Sequence, residues 1–272
     1  MKSGKTLLEE TIDRFSGLGE VFAVMTREQI EQAKQIIPQE KVTYIEEVYP
    51  CGTAIAMRLA ADYFSPSELI LFTAADQMIE ESEKLISAIS SAIKTAQAGN
   101  IVLFGTKPTS DNPQFGYFVL GNNNRVETFI EKPNPSQIAE LNKKPNSLWN
   151  MGISLMRTDR MIQAWETHFS PQVPSFEESV LSKDKNIYAF ATDALFHDVG
   201  SFESLGAFYT TQKDSNLIHG DVQTSNVNNC LIYSEELPIK VLEVSDLIIV
   251  ATSNGILISK KGHSQDQKRL FN

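Results

Sequence analysis

The chain has 272 residues, of which 42% are hydrophobic and 21% charged, which fits one large α/β domain or one domain with a small appendage. A formal net charge of −10, with no Lys/Arg-rich run, argues against a nucleic-acid polymer as partner. Two distant cysteines, Cys51 and Cys230, no apolar run of membrane-spanning length and no signal-like core after Met1 set the expectation of a cytoplasmic protein with no membrane partner.

In chain order, Lys5 to Phe15 reads as an amphipathic helix, with Leu7, Leu8, Thr11, Ile12 and Phe15 on one face. Glu20 to Met25 reads as a buried strand, and Thr26 with Gln29 three residues on reads as a helix cap. Lys41 to Glu46 is a second strand, and Gly52 to Tyr63 a helix rich in small residues. Glu68 to Thr73 is a continuous apolar run, expected as a central parallel strand. A long helix starting near Met78 follows, with Ile79, Leu85, Ile86, Ile89 and Ile93 at helical spacing, then a strand from Ile101 to Gly105. This alternation predicts a Rossmann-like, mixed but mostly parallel sheet with helices on both faces.

After Gly105 the rhythm changes. Gly116 to Leu120 and Arg125 to Ile130 alternate as a hairpin around Gly121-Asn122-Asn123-Asn124. Gly152 to Met156 and Ile187 to Ala191 read as strands, with helices near 158–168 and 175–182. Beyond Asp214 four short strands are expected: Asn229–Tyr233, Ile239–Val244, Leu247–Thr252 and Ile256–Ser259. The division is therefore 1–214 for the α/β domain and 215–272 for a small β-rich C-terminal region, with no internal repeat.

Several short motifs carry chemistry, and each has a plainer structural reading. Asp76 follows the apolar run and suits a magnesium ligand, or equally an N-cap for the helix near Met78. Asp198, in Phe196-His197-Asp198-Val199-Gly200, is the natural second carboxylate, or a turn residue before another helix. Glu131-Lys132-Pro133 ends a strand: the lysine reaches a phosphate, the glutamate accepts from sugar hydroxyls, and Pro133 restricts Lys132 to extended backbone. The plainer reading is a solvated turn. Trp149-Asn150-Met151-Gly152 offers an amide that donates and accepts, or a packed tryptophan with Asn150 in a turn. Gly52 and Thr53 let a base or phosphate approach a helix start, or shape that start for close packing. Ser3-Gly4-Lys5-Thr6 lacks the upstream strand and glycine of a phosphate loop. The four histidines lack metal-ligand spacing, and no nucleophile elbow is present.

Taken in order, these motifs resemble the sugar-1-phosphate nucleotidyltransferases, most closely the mannose-1-phosphate guanylyltransferases. The resemblance runs from Thr6-Leu7-Leu8-Glu9-Glu10-Thr11 to about Ser259. It rests on Ala74-Ala75-Asp76-Gln77, Gln114-Phe115-Gly116-Tyr117, Phe129 to Pro133, Trp149 to Gly152, Phe196 to Phe202 and Gly220-Asp221-Val222. It implies Mg²⁺-dependent in-line transfer from GTP to mannose 1-phosphate, giving GDP-mannose. It also implies that Asp76 and Asp198 hold Mg²⁺, that Lys132 contacts the sugar phosphate, that Gly116, Glu131 and Asn150 contact the sugar, and that Gly52 and Thr53 lie near the base.

The family's Gly-rich, Arg-containing phosphate loop lies upstream of the point where this sequence begins. The expectation is an N-terminally truncated enzyme, in which loss of the edge-forming first strand exposes sheet interior and lowers stability. The alternative is a non-catalytic homologue that binds a sugar nucleotide and regulates. A metal-dependent glycosyltransferase is a weaker third reading, because Asp76-Gln77-Met78 lacks the second acid of an Asp-x-Asp. Pairing of subunits through the C-terminal β region is a further expectation.

Overall fold

The structure is a computed structural model that describes residues 5–173, 175–199 and 216–263. Its contacts divide the chain into two compact units, one of residues 1–75 and 79–196, the other of 76–78 and 197–272. Among the described residues no helix is long and apolar enough to cross a membrane.

In the first unit, helix α1 (Leu7–Phe15) opens on a capping box, Thr6 with Glu9, and buries Thr11, Ile12 and Phe15. Strand β1 (Phe22–Met25) pairs in parallel with β2 (Thr43–Glu46), from Phe22 opposite Thr43 to Met25 opposite Glu46. Helix α2 (Arg27–Ile36) lies between them in sequence, capped by Thr26 with Gln29 as its sequence predicts. Next come α3 (Thr53–Ala61), β3 (Leu69–Phe72), β4 (Gln77–Glu80), α4 (Ser82–Gln97) and β5 (Ile101–Thr106). The hairpin is β6 (Tyr117–Leu120) and β7 (Val126–Ile130). Helix α5 (Pro135–Leu141), β8 (Ser147–Arg157), α6 (Thr158–His168), a π-helical turn at Glu177–Leu181, β9 (Ile187–Ala191) and β10 (Leu195–Asp198) complete the run, of which Gln77 and Met78 of β4 and His197 and Asp198 of β10 count with the second unit.

The main sheet has the order β7-β6-β8-β5-β9, with β3 also on β8. Strands β3, β5, β6 and β9 run one way, and β7 and β8 run the other. Alternate residues of β5 feed two cores. Ile101 and Leu103 pack with Met161 and Ala164 of α6, whereas Val102 and Phe104 pack with Leu85, Ile89 and Ala92 of α4. Helices therefore cover both faces, and the period-2 side-chain alternation is the cause.

Four local expectations are corrected. Strand β3 is paired antiparallel to β8; an apolar run reports burial on both faces and carries no information about direction. The segment 77–80 is a strand, and α4 starts at Ser82, so Ile79 belongs to β4. Strand β8 begins at Ser147, which puts Trp149 to Gly152 inside it. The helix expected at 175–182 is a π-helical turn, and α5 went unread between Pro133 and Ser147.

Among the described residues after Asp198 the second unit holds six strands: β11 (Leu217–His219), β12 (Val222–Asn228), β13 (Leu231–Ser234), β14 (Ile239–Ser245), β15 (Leu247–Thr252) and β16 (Gly255–Lys260). From β11 to β15 successive strands alternate between two sheets, β11-β13-β15 and β12-β14, and β16 then joins the first sheet beside β15. All pairs are parallel except the β15–β16 hairpin, which is the winding of a parallel β-helix. Its two fuller turns repeat with a period of 17 residues: Val222 pairs with Ile239, Val227 with Val244 and Leu231 with Ile248. The expectation of no internal repeat is thus overturned. The repeat escapes the sequence because equivalent positions share shape more than identity. Asn226 and Glu243 both take positive φ, as do Asn229 and Asp246, and Asn229 donates to the Asp246 carboxylate at 2.7 Å. Strands β11 and β12 were unread because Gln-Thr-Ser-Asn shows no apolar alternation. The expected boundary at 214–215 lies outside the described residues.

Candidate functional site

The hairpin register builds the centre of the site. Tyr117 pairs with Ile130 on one side and with Trp149 on the other. One residue further along each strand stand Gly116, Glu131 and Asn150, which the topology therefore brings together. The Asn150 N–H donates to the Gly116 carbonyl at 2.7 Å. A Cβ added at Gly116 would lie 2.4 Å from Glu131 Oε2 and 3.4 Å from Asn150 Cβ. Gly116 is thus the gap into which the Glu131 carboxyl fits. Asn150 is only 7% exposed, and its Oδ1 accepts from the Gly152 N–H at 3.2 Å. It sits in a strand, which displaces the turn reading of this motif.

Burial pushes the Glu131 carboxyl up to about 7; the negative charge of Glu177 adds to this, the Lys132 ammonium opposes it, and Glu178 contributes a smaller upward push. Lys132 is exposed and takes φ +47°. The expected extended backbone is therefore wrong: the following proline disfavours the right-handed helical region, and the chain turns through the left-handed one instead. Left-handed backbone on a non-glycine residue costs about 1–3 kcal/mol and is concentrated at functional sites.

Gly52 precedes α3 with φ +96°, a conformation glycine adopts without strain. The Thr53 hydroxyl accepts from the Phe176 N–H at 3.0 Å and donates to Glu177 Oε2 over a longer 3.5 Å. Ser175 Oγ donates to the same Glu177 oxygen at 2.9 Å. The start of α3 is thereby tied to the π-helical turn. Glu177 was missed in the sequence because Phe176-Glu177-Glu178-Ser179 reads as an ordinary amphipathic helix start.

Asp76 is exposed and immediately precedes β4, so it caps no helix. Strand β4 pairs with β10, whose last residue is Asp198. Two segments more than a hundred residues apart thus meet as neighbouring strands. The Asp198 side chain and the motif's end, Gly200 to Phe202, lie outside the described residues, and so does the helix expected after them. Among the described residues no group of three or more His, Cys, Asp or Glu is arranged to hold a metal. A carboxyl that titrates near neutrality, a buried amide and a glycine gap suit the hydroxyls of a small polar ligand.

A nucleotidyl transferase family model matches residues 2–214, and a mannose-phosphate isomerase/GMP-like β-helix domain model matches 222–272. The chain is 27% identical to a mannose-1-phosphate guanylyltransferase of Salmonella montevideo, over 99% of this chain and 67% of that protein. It is also 27% identical to the enzyme of that name from Escherichia coli K12, over 99% of this chain and 66% of that one. It thus spans about two thirds of the length of these relatives. A crystal structure from Thermus thermophilus, described as a mannose-1-phosphate geranyltransferase, shares its fold, with a TM-score of 0.84 and 22% identity over 99% of this chain and 90% of that chain.

Proposed function

The chain belongs to the nucleotidyl transferase family, and from that premise we propose that it makes GDP-mannose and pyrophosphate from GTP and mannose 1-phosphate. The sugar phosphate oxygen attacks the α-phosphorus in line, the bond to the β-phosphate oxygen breaks, and pyrophosphate leaves. The observation that carries this reading is the closure of Gly116, Glu131 and Asn150 around one gap. There Glu131 and Asn150 hold sugar hydroxyls, and Lys132 faces the sugar phosphate. Gly52 and Thr53 mark the side of the base. In this reading residues 1–214 carry the transfer chemistry and 215–272 form the β-rich end.

Members of the family generally use a divalent metal. Asp76 fits that role as an exposed carboxylate that caps no helix, because hard oxygen donors suit Mg²⁺. Asp76 and Asp198 would hold the ion, which when bound neutralises phosphate charge.

The test is GDP-mannose formation from GTP and mannose 1-phosphate with Mg²⁺, run beside calorimetry with GDP-mannose. Turnover lost in Glu131→Ala supports the transferase. GDP-mannose binding without turnover moves the reading to a sugar-nucleotide-binding regulator, and no binding of either ligand ends both.

A further inference from the structure

We propose that Glu177 is a positioning residue that joins the two halves of the candidate site, anchoring the Thr53 end of α3 to the π-helical turn whose carboxylates neighbour Glu131. This rests on the reading of Glu131 as a sugar-binding group.

Three observations carry it. First, the Glu177 carboxylate is fixed from two directions: Ser175 Oγ donates to Oε2 at 2.9 Å, and Thr53 Oγ1 approaches the same oxygen at 3.5 Å. The Phe176 N–H closes the loop on Thr53 at 3.0 Å. Second, Glu177 opens the π-helical turn. Such turns carry an extra residue and recur at functional sites. Third, after burial, the negative charge of Glu177 is the next cause that raises the Glu131 carboxyl. Of the segments around Glu131, β8 contributes the uncharged Asn150 and the residue just before β6 is Gly116. The charged neighbours are Glu177 and Glu178 on the π-helical turn and Lys132 on its own segment.

The consequence is a link between the base side and the sugar side. One carboxylate is hydrogen-bonded to the Thr53 end of α3 and also contributes charge at Glu131, so the two sides share it. Removing the Glu177 charge lowers the Glu131 midpoint, because a like charge disfavours ionisation.

The test follows the Glu131 carboxyl by ¹³C NMR in the full, ligand-free chain, where no assumption about substrate enters. The wild type is expected to titrate at about 7. In Glu177→Gln the midpoint is expected to fall by about half a pH unit or more. Glu178→Gln is expected to move it less, and Glu177→Asp to restore it. Calorimetry then measures mannose 1-phosphate affinity against pH, and its rise is expected to move to lower pH in Glu177→Gln by the same interval. Comparison with wild type cancels the titration of the ligand's own phosphate. An unmoved Glu131 midpoint in a folded Glu177→Gln protein overturns the proposal, as does an affinity profile that ignores the substitution. A midpoint that shifts in a protein that does not bind mannose 1-phosphate upholds the electrostatic link and removes the sugar reading instead.

Discussion

Two carboxylates of this chain sit beside amides and are driven in opposite directions. Glu131 in the α/β unit is crowded by burial and by Glu177 and Glu178, and is pushed up to about 7. Asp246 in the β-helix accepts hydrogen bonds from Asn229 and Ser245, with Lys260 and Lys261 adding a smaller effect, and is held below the usual carboxylate range. The β-helix stacks polar groups so that each satisfies the next. The α/β unit concentrates unfavourable terms in one place: like charges around a half-buried Glu131, with a glycine gap beside them. Residues arranged against stability mark a site, whereas residues arranged for it mark a scaffold.

The sharpest way to break this contrast is to damage the scaffold. Ile248 is fully buried against Leu231 and Val250, and Ile248→Ala is expected to cost about 2–5 kcal/mol. Urea unfolding followed by circular dichroism measures it, and a loss well below that range would mean that the coils are loosely packed. The next largest effect belongs to the site. Gly116→Ala puts a methyl on the Glu131 carboxyl and is expected to weaken mannose 1-phosphate binding by about a hundredfold, the scale of losing charged hydrogen bonds. Its urea midpoint is expected to stay near wild type, because the clashing atom ends a side chain that can swing away.

The pH dependence sharpens the contrast further. Glu131 has a folded value above its unfolded one, so the folded state binds its proton more tightly. Stability from this group therefore falls as pH rises from about 4.5 to about 7. Asp246 has the opposite sign: its contribution is present above about 3.8 and is lost as pH falls below that. Urea midpoints across this range in Glu131→Gln and Asp246→Asn test both signs, each variant flattening its own window. The smallest effect is a gain. Lys132→Gly relieves left-handed backbone and is expected to stabilise the fold by about 0.5–1 kcal/mol while mannose 1-phosphate binding is lost. A variant that binds normally would remove Lys132 from the site.

Much of the α/β architecture was legible in the chain. Thr26 and Gln29 announced a capping box, and the Gly121–Asn124 turn announced its hairpin, because both signals are local. Strand β12 was not legible, since Gln223, Thr224 and Ser225 are placed by the coils they stack on and not by their own alternation. The 17-residue period was hidden for the same reason. Side-chain periodicity fixes burial but leaves strand direction open, which is why β3 was read as parallel and pairs antiparallel with β8.

For the site, the sequence by itself determined the types of chemistry: a carboxylate and a lysine at Glu131-Lys132, an amide at Asn150, and carboxylates at Asp76 and Asp198. Only the tertiary structure decided that Gly116, Glu131 and Asn150 share one gap, because that closure depends on the register of β6 against both β7 and β8. Only the tertiary structure brought in Glu177, whose partners Thr53 and Glu131 lie far from it along the chain. Local propensity is written residue by residue, but an electrostatic environment is the sum of groups that only folding assembles.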